Sequence, residues 1–236
     1  MSDNRMNYRI DKGMQFPLVE IALEEGEKAY IQRGSMVYHS KQISLNTKVN
    51  GKGHGLGKLM GAVGRSLTSG ESFWITEAES SNDSGTLALA PNTPGEVIAL
   101  ELGNEQYCIN DGHFLAMDGS ASYSMKKQSV GKALFSGTGG FFVMTTEGSG
   151  TVLCTSFGSV KKLDLDNDEI TVDNNHVVAW SSSLDYDIHM ENGFFQSIGN
   201  GEGVVNTFKG SGSIYVQSLN LETFANELAG YSETKK

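Results

Sequence analysis

Proline and cysteine are scarce in this chain, which has 3 prolines and 2 cysteines among 236 residues. The size of the chain and its lack of secretory signals argue against a disulfide staple. Cys108 and Cys154, which lie in apolar strand-like segments, are expected to be buried free thiols. No apolar run reaches the roughly 18 residues that a membrane-spanning helix needs. Residues 1–16 lack the apolar core of a secretory signal and the composition of a transit peptide. These absences predict a cytoplasmic protein.

Positive charge is also in deficit, because 18 Lys and Arg stand against 28 Asp and Glu, for a net charge of −10. A phosphate backbone attracts clustered positive charge, so this balance argues against nucleic-acid binding. The deficit is uneven: residues 1–70 carry a net +4 and residues 71–236 a net −14. The segment 41–70 contains no acid and holds the basic residues Lys41, Lys48, Lys52, Lys58 and Arg65.

Glycine, by contrast, is abundant at 29 residues, and it marks an internal repeat. Residues 95–117 align without a gap on residues 158–180, at a constant offset of 63. Composition alone would give roughly one or two identical pairs over such a window. The identical pairs are Gly95/Gly158, Val97/Val160, Leu100/Leu163, Leu102/Leu165, Asn104/Asn167, His113/His176 and Ala116/Ala179.

A more diverged copy precedes these two. At an offset of 78, residues of the segment 19–37 fall on similar or identical residues of the segment 97–115. We therefore divide the chain into an N-terminal extension, three β units, and a C-terminal helix with its tail. Their predicted bounds are 1–15, 16–92, 93–157, 158–220 and 221–236.

Each unit shows the pattern of short β-strands. Apolar residues alternate in segments such as 86–89, 151–154 and 213–216, the period of a half-buried strand. Asn, Asp and Gly clusters such as 110–112 and 173–175 predict turns between strands. The segments 148–151 and 210–213 are expected to be hairpin turns. Many short strands separated by such turns favour sandwiches or barrels.

Two helices are predicted beside the strands. The first covers 56–68, where three glycines each lower helix stability by about 1 kcal/mol relative to alanine. The second begins after Asn220, a suitable N-cap, and is expected to cover an open end of the β structure. Its apolar face is formed by Leu221, Phe224, Ala225, Leu228 and Tyr231.

The triplicated β pattern, the loop GKGHGLGKLMGAVGRSLTSGESFW at 51–74 and the glycine-rich run at 137–152 together resemble a known family. It is the Altered Inheritance of Mitochondria protein 24 family, and the resemblance covers about residues 14–220. It implies an all-β chain with three tandem repeats like the β-sandwich of the trp RNA-binding attenuation protein (TRAP), related by pseudo-threefold symmetry. It also implies a homo-oligomer, for example a trimer. The function of prokaryotic members is unknown, and the family supplies no catalytic residues to carry over.

Two familiar cofactor and metal-binding motifs each fail at two required positions. Lys52 and Leu59 replace the glycine and the hydroxyl residue that a phosphate-binding Walker A loop requires. The acidic run from Asp164 lacks the glycine and glutamate of a calcium-binding EF-hand loop, so we expect a strand end and a turn there. His113 and His176 occupy equivalent positions, so we expect them to play equivalent structural parts at turns, with a shared ligand site as the alternative. We expect no cofactor, no metal site and no enzymatic activity.

The leading hypothesis is a non-enzymatic oligomeric scaffold or interaction protein that is peripheral to a membrane or binds a protein partner. The basic segment 51–70 is the expected contact, although its residues suit internal or subunit packing as well. The alternative is a small-molecule binding module with sites between repeats or subunits. A hydrolase or isomerase is the third hypothesis, which needs a pocket of titratable groups with shifted pKa values. The predicted contact residues are Lys52, Lys58, Leu59, Met60 and Arg65.

Overall fold

The computed structural model describes residues 5–11, 13–48, 75–128, 141–190 and 203–233. These residues form strands, one 3-10 turn at Asn174–His176 and one helix, α1, at Leu221–Glu233. The strands are β1 (Asn7–Ile10), β2 (Val19–Leu23), β3 (Lys28–Gln32), β4 (Met36–His39), β5 (Ile43–Lys48), β6 (Ile75–Ser80), β7 (Gly85–Leu89), β8 (Val97–Leu102), β9 (Tyr107–Asn110), β10 (Phe114–Asp118), β11 (Ser122–Gln128), β12 (Phe141–Glu147), β13 (Gly150–Thr155), β14 (Val160–Asp173), β15 (Val177–Ser181), β16 (Asp185–Met190) and β17 (Val204–Gln217).

Side-chain alternation explains why these segments are strands. In β2, for example, Val19, Ile21 and Leu23 are buried, whereas Glu20 and Ala22 between them are half-buried. Successive side chains of a strand point to opposite faces, so this alternation places one face of β2 on the core. The mostly β fold with a C-terminal helix that the sequence predicted is confirmed, and the sheets curl into a half-barrel.

The strands form three antiparallel sheets. The first has the order β1-β2-β7-β4, and the second has the order β5-β6-β3-β10-β13-β8. The third has the order β11-β12-β9-β15-β17-β14, with β16 paired to the first part of β17. Strands distant in sequence thus lie side by side, as β3 does with β10 and β9 with β15.

Beside the interruption in β14–β17, a register shift occurs in three strand pairs, β4–β7, β10–β13 and β15–β17. Such a shift marks a β-bulge or a similar irregularity, which bends the strand. The shifts fall on the same position when the chain is aligned at offsets of 78 and 63. They lie between Met36 and Tyr38, between Phe114 and Ala116, and between Val177 and Ala179.

The hydrophobic core consists of three clusters, two of which join residues of different sheets. One cluster packs Ile21 and Leu87 of the first sheet against Leu115 and Leu153 of the second. The other two clusters are centred on Phe114 and on Trp180, and all of these side chains are almost fully buried. Cys108 and Cys154 are buried free thiols, as predicted, and burial raises the pKa of both.

Two local predictions were wrong. The segment 210–213 is not a hairpin turn, because β17 continues through it and pairs with β14 on both sides. The acidic run that begins at Asp164 likewise lies within the single long strand β14, whose pairing is interrupted between Leu165 and Asp168. The predicted hairpin turn at 148–151 does join β12 to β13. The predicted helix at 56–68 lies outside the described residues, and the unit bounds stay a prediction.

α1 begins where the sequence predicted. The Asn220 side chain caps it, because its Oδ1 accepts a hydrogen bond from the Thr223 N–H at 3.1 Å. α1 was expected to cover an open end of the β structure, and it does so only in part, because Leu228 is 54% exposed and Tyr231 78% exposed. Phe224 is the member of that face that packs on an aromatic ring, with its centroid 5.3 Å from that of Phe157.

Gly95 and Gly158, which are equivalent in the repeat, form a parallel backbone bridge to each other. A Cβ atom added to Gly95 would lie 2.1 Å from the carbonyl oxygen of Ser156, which is backbone and cannot rotate away. A side chain at this position would therefore push the two segments apart. Steric crowding therefore explains why glycine occupies position 95.

We expect Gly95→Ala to lower the free energy of unfolding by about 2 kcal/mol or more, since overpacking forces backbone shifts. Denaturant unfolding followed by circular dichroism measures this loss. Gly203→Ala is the matched control, because a Cβ at Gly203 meets no atom within 4 Å. Equal stabilities of the two variants would contradict the steric explanation.

Candidate functional site

The predicted contact residues cannot be placed in the structure. Lys52, Lys58, Leu59, Met60 and Arg65 lie in the segment 49–74, outside the described residues. A contact there stays a prediction. The described part of the chain offers a different candidate site, which is formed by two turns and α1.

A cleft of about 500 Å³ lies between α1 and two turns. One turn, 110–113, links β9 to β10, and the other is the 3-10 turn Asn174–His176 between β14 and β15. We name this space the α1 cleft. Its lining residues are Thr93, Asn110, Asp111, Gly112, His113, Phe157, Asn174, Asn175, Gln217, Leu221, Glu222 and Ala225.

Buried amide side chains tie the two turns together. Asn110 Nδ2 donates to the carbonyl oxygens of Asn174 at 3.1 Å and Val177 at 3.0 Å. Asn206 Nδ2 donates to Asn174 Oδ1 at 2.8 Å. A buried polar group that loses its partner costs about 1–3 kcal/mol, so these bonds fix the distance between the turns.

Gln217 braces the wall of the cleft on which α1 rests. Its Nε2 donates to the Asn175 carbonyl oxygen at 2.8 Å, and its Oε1 accepts from the Phe157 N–H at 2.7 Å. On the helix side, Glu222 Oε2 accepts from Asn175 Nδ2 at 3.2 Å. These contacts, with the Phe157–Phe224 ring contact, position α1 over the turns.

His113 and His176 make the same hydrogen bond at equivalent turns. Nδ1 of His113 lies 2.8 Å from the Thr155 carbonyl oxygen, and Nδ1 of His176 lies 2.8 Å from that of Gln217. A carbonyl oxygen only accepts, so Nδ1 carries the hydrogen in both rings. Each ring therefore ties its turn to the end of a neighbouring strand, and the predicted equivalent structural part is confirmed.

The protonation state of His113 follows from its surroundings. Burial lowers its pKa below the usual 6.5, so the ring is neutral near neutral pH. With the hydrogen on Nδ1, Nε2 of the neutral ring is a hydrogen-bond acceptor. His113 thus brings an acceptor, and no positive charge, to the lining of the α1 cleft.

The lining of the cleft is chemically mixed. It combines the apolar surfaces of Phe157, Leu221 and Ala225 with amide groups and the carboxylates of Asp111 and Glu222, a mixture typical of small-molecule sites. Other groups with shifted pKa values lie elsewhere: burial raises the pKa of Asp118, whose Oδ2 accepts from the Thr151 N–H at 2.6 Å. Across the described ranges, no three His, Cys, Asp or Glu side chains are placed to hold a metal ion.

Sequence reasoning found part of this cleft. It singled out His113 and the turn at 110–112, but it missed Phe157 and Gln217. Phe157 directly precedes Gly158, where the aligned repeat begins, and this position was the available signal. No sequence signal marks Gln217, because its role depends on which backbone groups lie near it once β17 is folded into its sheet.

These features define a mostly β protein with a cleft beneath a C-terminal helix, and comparison with known proteins places it in a family. The family model described as mitochondrial biogenesis AIM24 matches residues 8–219, so the chain belongs to this family. It is 66% identical to an uncharacterised protein of Streptococcus pyogenes serotype M6 over 99% of this chain and 94% of that protein. The crystal structure of a Streptococcus pyogenes protein that is 62% identical has a TM-score of 0.83, covering 96% of this chain and all of that one.

The AIM24 membership that the sequence predicted is therefore confirmed. The matched protein of Streptococcus pyogenes serotype M6 is uncharacterised, and the comparisons give no role for the α1 cleft. Among the described residues, no helix is long and apolar enough to cross a membrane.

We expect acidification to destabilise the chain through His113. The pKa of His113 is lowered in the folded state, so below pH 6.5 the unfolded chain binds more protons than the folded chain. The free energy of unfolding therefore decreases as the pH decreases. The free energy of unfolding, measured by denaturant titration between about pH 7.5 and pH 5, should fall less steeply in His113→Gln.

Asp118 supplies a contribution of opposite sign. Burial raises its pKa, so in the range just above its usual 3.8 the folded chain binds more protons than the unfolded chain and gains stability on acidification. Asp118→Asn should therefore keep the His113-dependent loss of stability. Identical slopes for the wild type and His113→Gln would show that His113 is not responsible.

Proposed function

We propose that this AIM24-family chain is a non-enzymatic, oligomeric interaction protein built from three fused TRAP-like β units. The register of strand pairing supports the units. Ala116 of β10 lies opposite Ile31 of β3, and Ala179 of β15 lies opposite Ile109 of β9. These two pairs are equivalent at the offsets of 63 and 78 found in the sequence. One type of strand contact therefore recurs along the chain.

The exposed apolar face of α1 is the observation that carries the interaction role. Leu221, Phe224, Leu228 and Tyr231 follow one another at helical spacing, and each is between 47% and 78% exposed. Neighbouring apolar side chains left in water on one helix face favour a binding surface. An amphipathic helix presented in this way is a common recognition element, which docks its apolar face in a partner's groove.

Charge on α1 favours a protein partner over a lipid surface. The helix carries Glu222, Glu227 and Glu233, and no Lys or Arg lies within 221–233. Cytoplasmic leaflets are anionic and attract basic segments, so α1 would be repelled from them. Peripheral membrane contact, if the chain makes it, belongs to the basic segment 51–70.

The scatter of titratable groups supports a role without catalysis. Catalytic sites gather groups with shifted pKa values in one pocket. In the described part of the chain His113 lines the α1 cleft, whereas Asp118 and Cys154 do not, and Cys154 is wholly buried. The cleft lining also holds the carboxylates of Asp111 and Glu222, of which Glu222 accepts a hydrogen bond from Asn175. His113 Nδ1 carries the hydrogen that is bonded to the Thr155 carbonyl, so this nitrogen does not serve as a base.

The interaction role predicts that one charge on the apolar face of α1 abolishes partner capture. The immobilised wild-type chain should retain specific proteins from an extract of its source cells, and Leu228→Glu should lose them. Asn226→Glu is the matched control, since it adds the same charge away from that face. Equal capture by all three chains would contradict the role of α1.

Membrane contact is tested separately by flotation with liposomes that contain anionic lipid. If the 51–70 segment binds membranes, the wild type floats and Lys58→Glu/Arg65→Glu does not, because each basic residue contributes about 1 kcal/mol near an anionic surface. Leu228→Glu should float like the wild type. Absence of flotation for every chain would exclude the peripheral membrane role.

The α1 cleft supports a second candidate function, small-molecule binding. Its volume of about 500 Å³ lies in the range of ligand pockets, and its lining joins two of the proposed units. A ligand at one hundred times its dissociation constant stabilises a protein by about 2.7 kcal/mol, which a melting-temperature screen of metabolites detects. Ala225→Trp should fill the cleft and remove the shift. A screen without any shift would contradict this function.

A further inference from the structure

The described residues leave several strand edges without a neighbour, and two of these edges are complementary. One is the outer edge of β4, which pairs on its other side with β7. The other is the outer edge of the second half of β14, residues 168–173, which pairs on its other side with β17. An exposed edge presents unpaired N–H and C=O groups and is a template for another strand.

The strands equivalent to these two edge strands are paired elsewhere in the chain. β10 is equivalent to β4 at an offset of 78 and pairs with β3. β9 is equivalent to residues 170–173 at an offset of 63 and pairs with β15. The edges of β4 and of residues 168–173 are therefore complementary halves of a contact that the chain forms twice.

The register of a third such contact follows from the first two. Ala116 lies opposite Ile31, and Ala179 lies opposite Ile109. Applying the same offsets places Tyr38 opposite Val172. The adjoining bonds agree: the Gly119 N–H donates to the Lys28 carbonyl at 2.9 Å and the Ser182 N–H to that of Gln106 at 2.7 Å. Their equivalents are the Lys41 N–H and the Glu169 carbonyl.

β4 is far more exposed to solvent than its equivalent strands β10 and β15. Met36, Val37 and Tyr38 are 39%, 52% and 44% exposed. The equivalent residues of β10 and β15, 114–116 and 177–179, are all at most 1% exposed. The strand that is most buried at the two internal contacts is thus exposed, among the described residues, at the edge of the first sheet.

Charge also matches across the two edges. In the register above, Lys41 lies directly opposite Glu169, whose side chain is 55% exposed and forms an ion pair with Lys209 at 2.9 Å. Opposite charges on facing strand positions stabilise a pair, and like charges destabilise it. The larger distribution agrees, because residues 1–70 are net positive and residues 71–236 net negative.

We propose that β4 of one copy pairs antiparallel with residues 168–173 of a second copy, while β4 of the second copy pairs with residues 168–173 of the first. A twofold axis makes both contacts identical, and two half-barrels close into one assembly without a free edge of this kind. The inference rests on the proposed homo-oligomer and specifies its interface. We name each contact a β4–β14 seam.

The first experiment compares two matched substitutions by size-exclusion chromatography with light scattering. Val37 and Leu228 are 52% and 54% exposed, so neither substitution removes a core side chain. The wild type and Leu228→Lys should elute at twice the 25.4 kDa of one chain. Val37→Lys should elute as a monomer.

The outcomes separate the seam from the broader proposal. A wild type that is monomeric at all concentrations would overturn both the seam and the homo-oligomer. A dimer that Leu228→Lys dissociates and Val37→Lys does not would overturn the seam alone, and so would a trimer or an open filament.

A proline on β4 tests the backbone pairing itself. The Ser40 N–H donates to the Thr86 carbonyl of the β7 side at 2.9 Å, so the neighbouring His39 N–H points to the outer edge. Proline is tolerated on an edge strand where its missing N–H faces outward. His39→Pro should keep the circular dichroism spectrum and the monomer fold but lose the dimer. A stable His39→Pro dimer would overturn strand pairing at this edge.

A charge swap tests which edges meet. Lys41→Glu alone and Glu169→Lys alone place like charges in both seams, and each should weaken the dimer on the order of tenfold. A heterodimer of the two variants has the wild-type charge pair in one seam and the same pair with its charges exchanged in the other. Mixing the two variants should therefore give a heterodimer of wild-type strength. Failure of the mixture to recover, or undiminished dimers of the single variants, would overturn the seam.

Discussion

The backbone pairing of β3 with β10 and of β9 with β15 is the interaction on which the rest of the architecture depends. It turns three sets of strands into continuous sheets, since the six-stranded sheet contains β5, β6 and β3 beside β10, β13 and β8. The same pairing brings Leu115 and Leu153 onto Ile21 and Leu87, so that the core is shared. A unit that lacked this contact would leave a hydrophobic strand exposed, as β4 is exposed among the described residues.

The candidate site is a consequence of that pairing. The turn 110–113 follows β9 and the 3-10 turn precedes β15, so joining these two strands brings the turns together. Asn110 and Asn174 then hold them through buried hydrogen bonds, and α1 crosses above. The cleft therefore needs two of the proposed units, and neither would form it alone.

The sequence predicted the strands and the family well, because a gapless offset carries alternation and turn residues from one copy to another. It failed where local signals and tertiary pairing disagree. Gly210 and Gly212 look like a hairpin, yet the partner strand β14 runs past them and keeps β17 continuous. The apolar face of α1 resembles a core-facing face, and only the structure shows that Leu228 and Tyr231 are exposed. Which backbone groups Gln217 contacts depends on the fold of segments far apart in sequence.

Disulfide trapping across the seam tests the central claim most directly. Tyr38 and Val172 would form a non-hydrogen-bonded pair, with Cα atoms about 4.5 Å apart, which a disulfide can span. The native Cys108 and Cys154 are buried and do not compete. We predict that a mixture of Tyr38→Cys and Val172→Cys chains, oxidised at low concentration, yields a cross-linked dimer containing one of each. Equal cross-linking of Tyr38→Cys chains with themselves, or no cross-link in the mixture, would contradict the account.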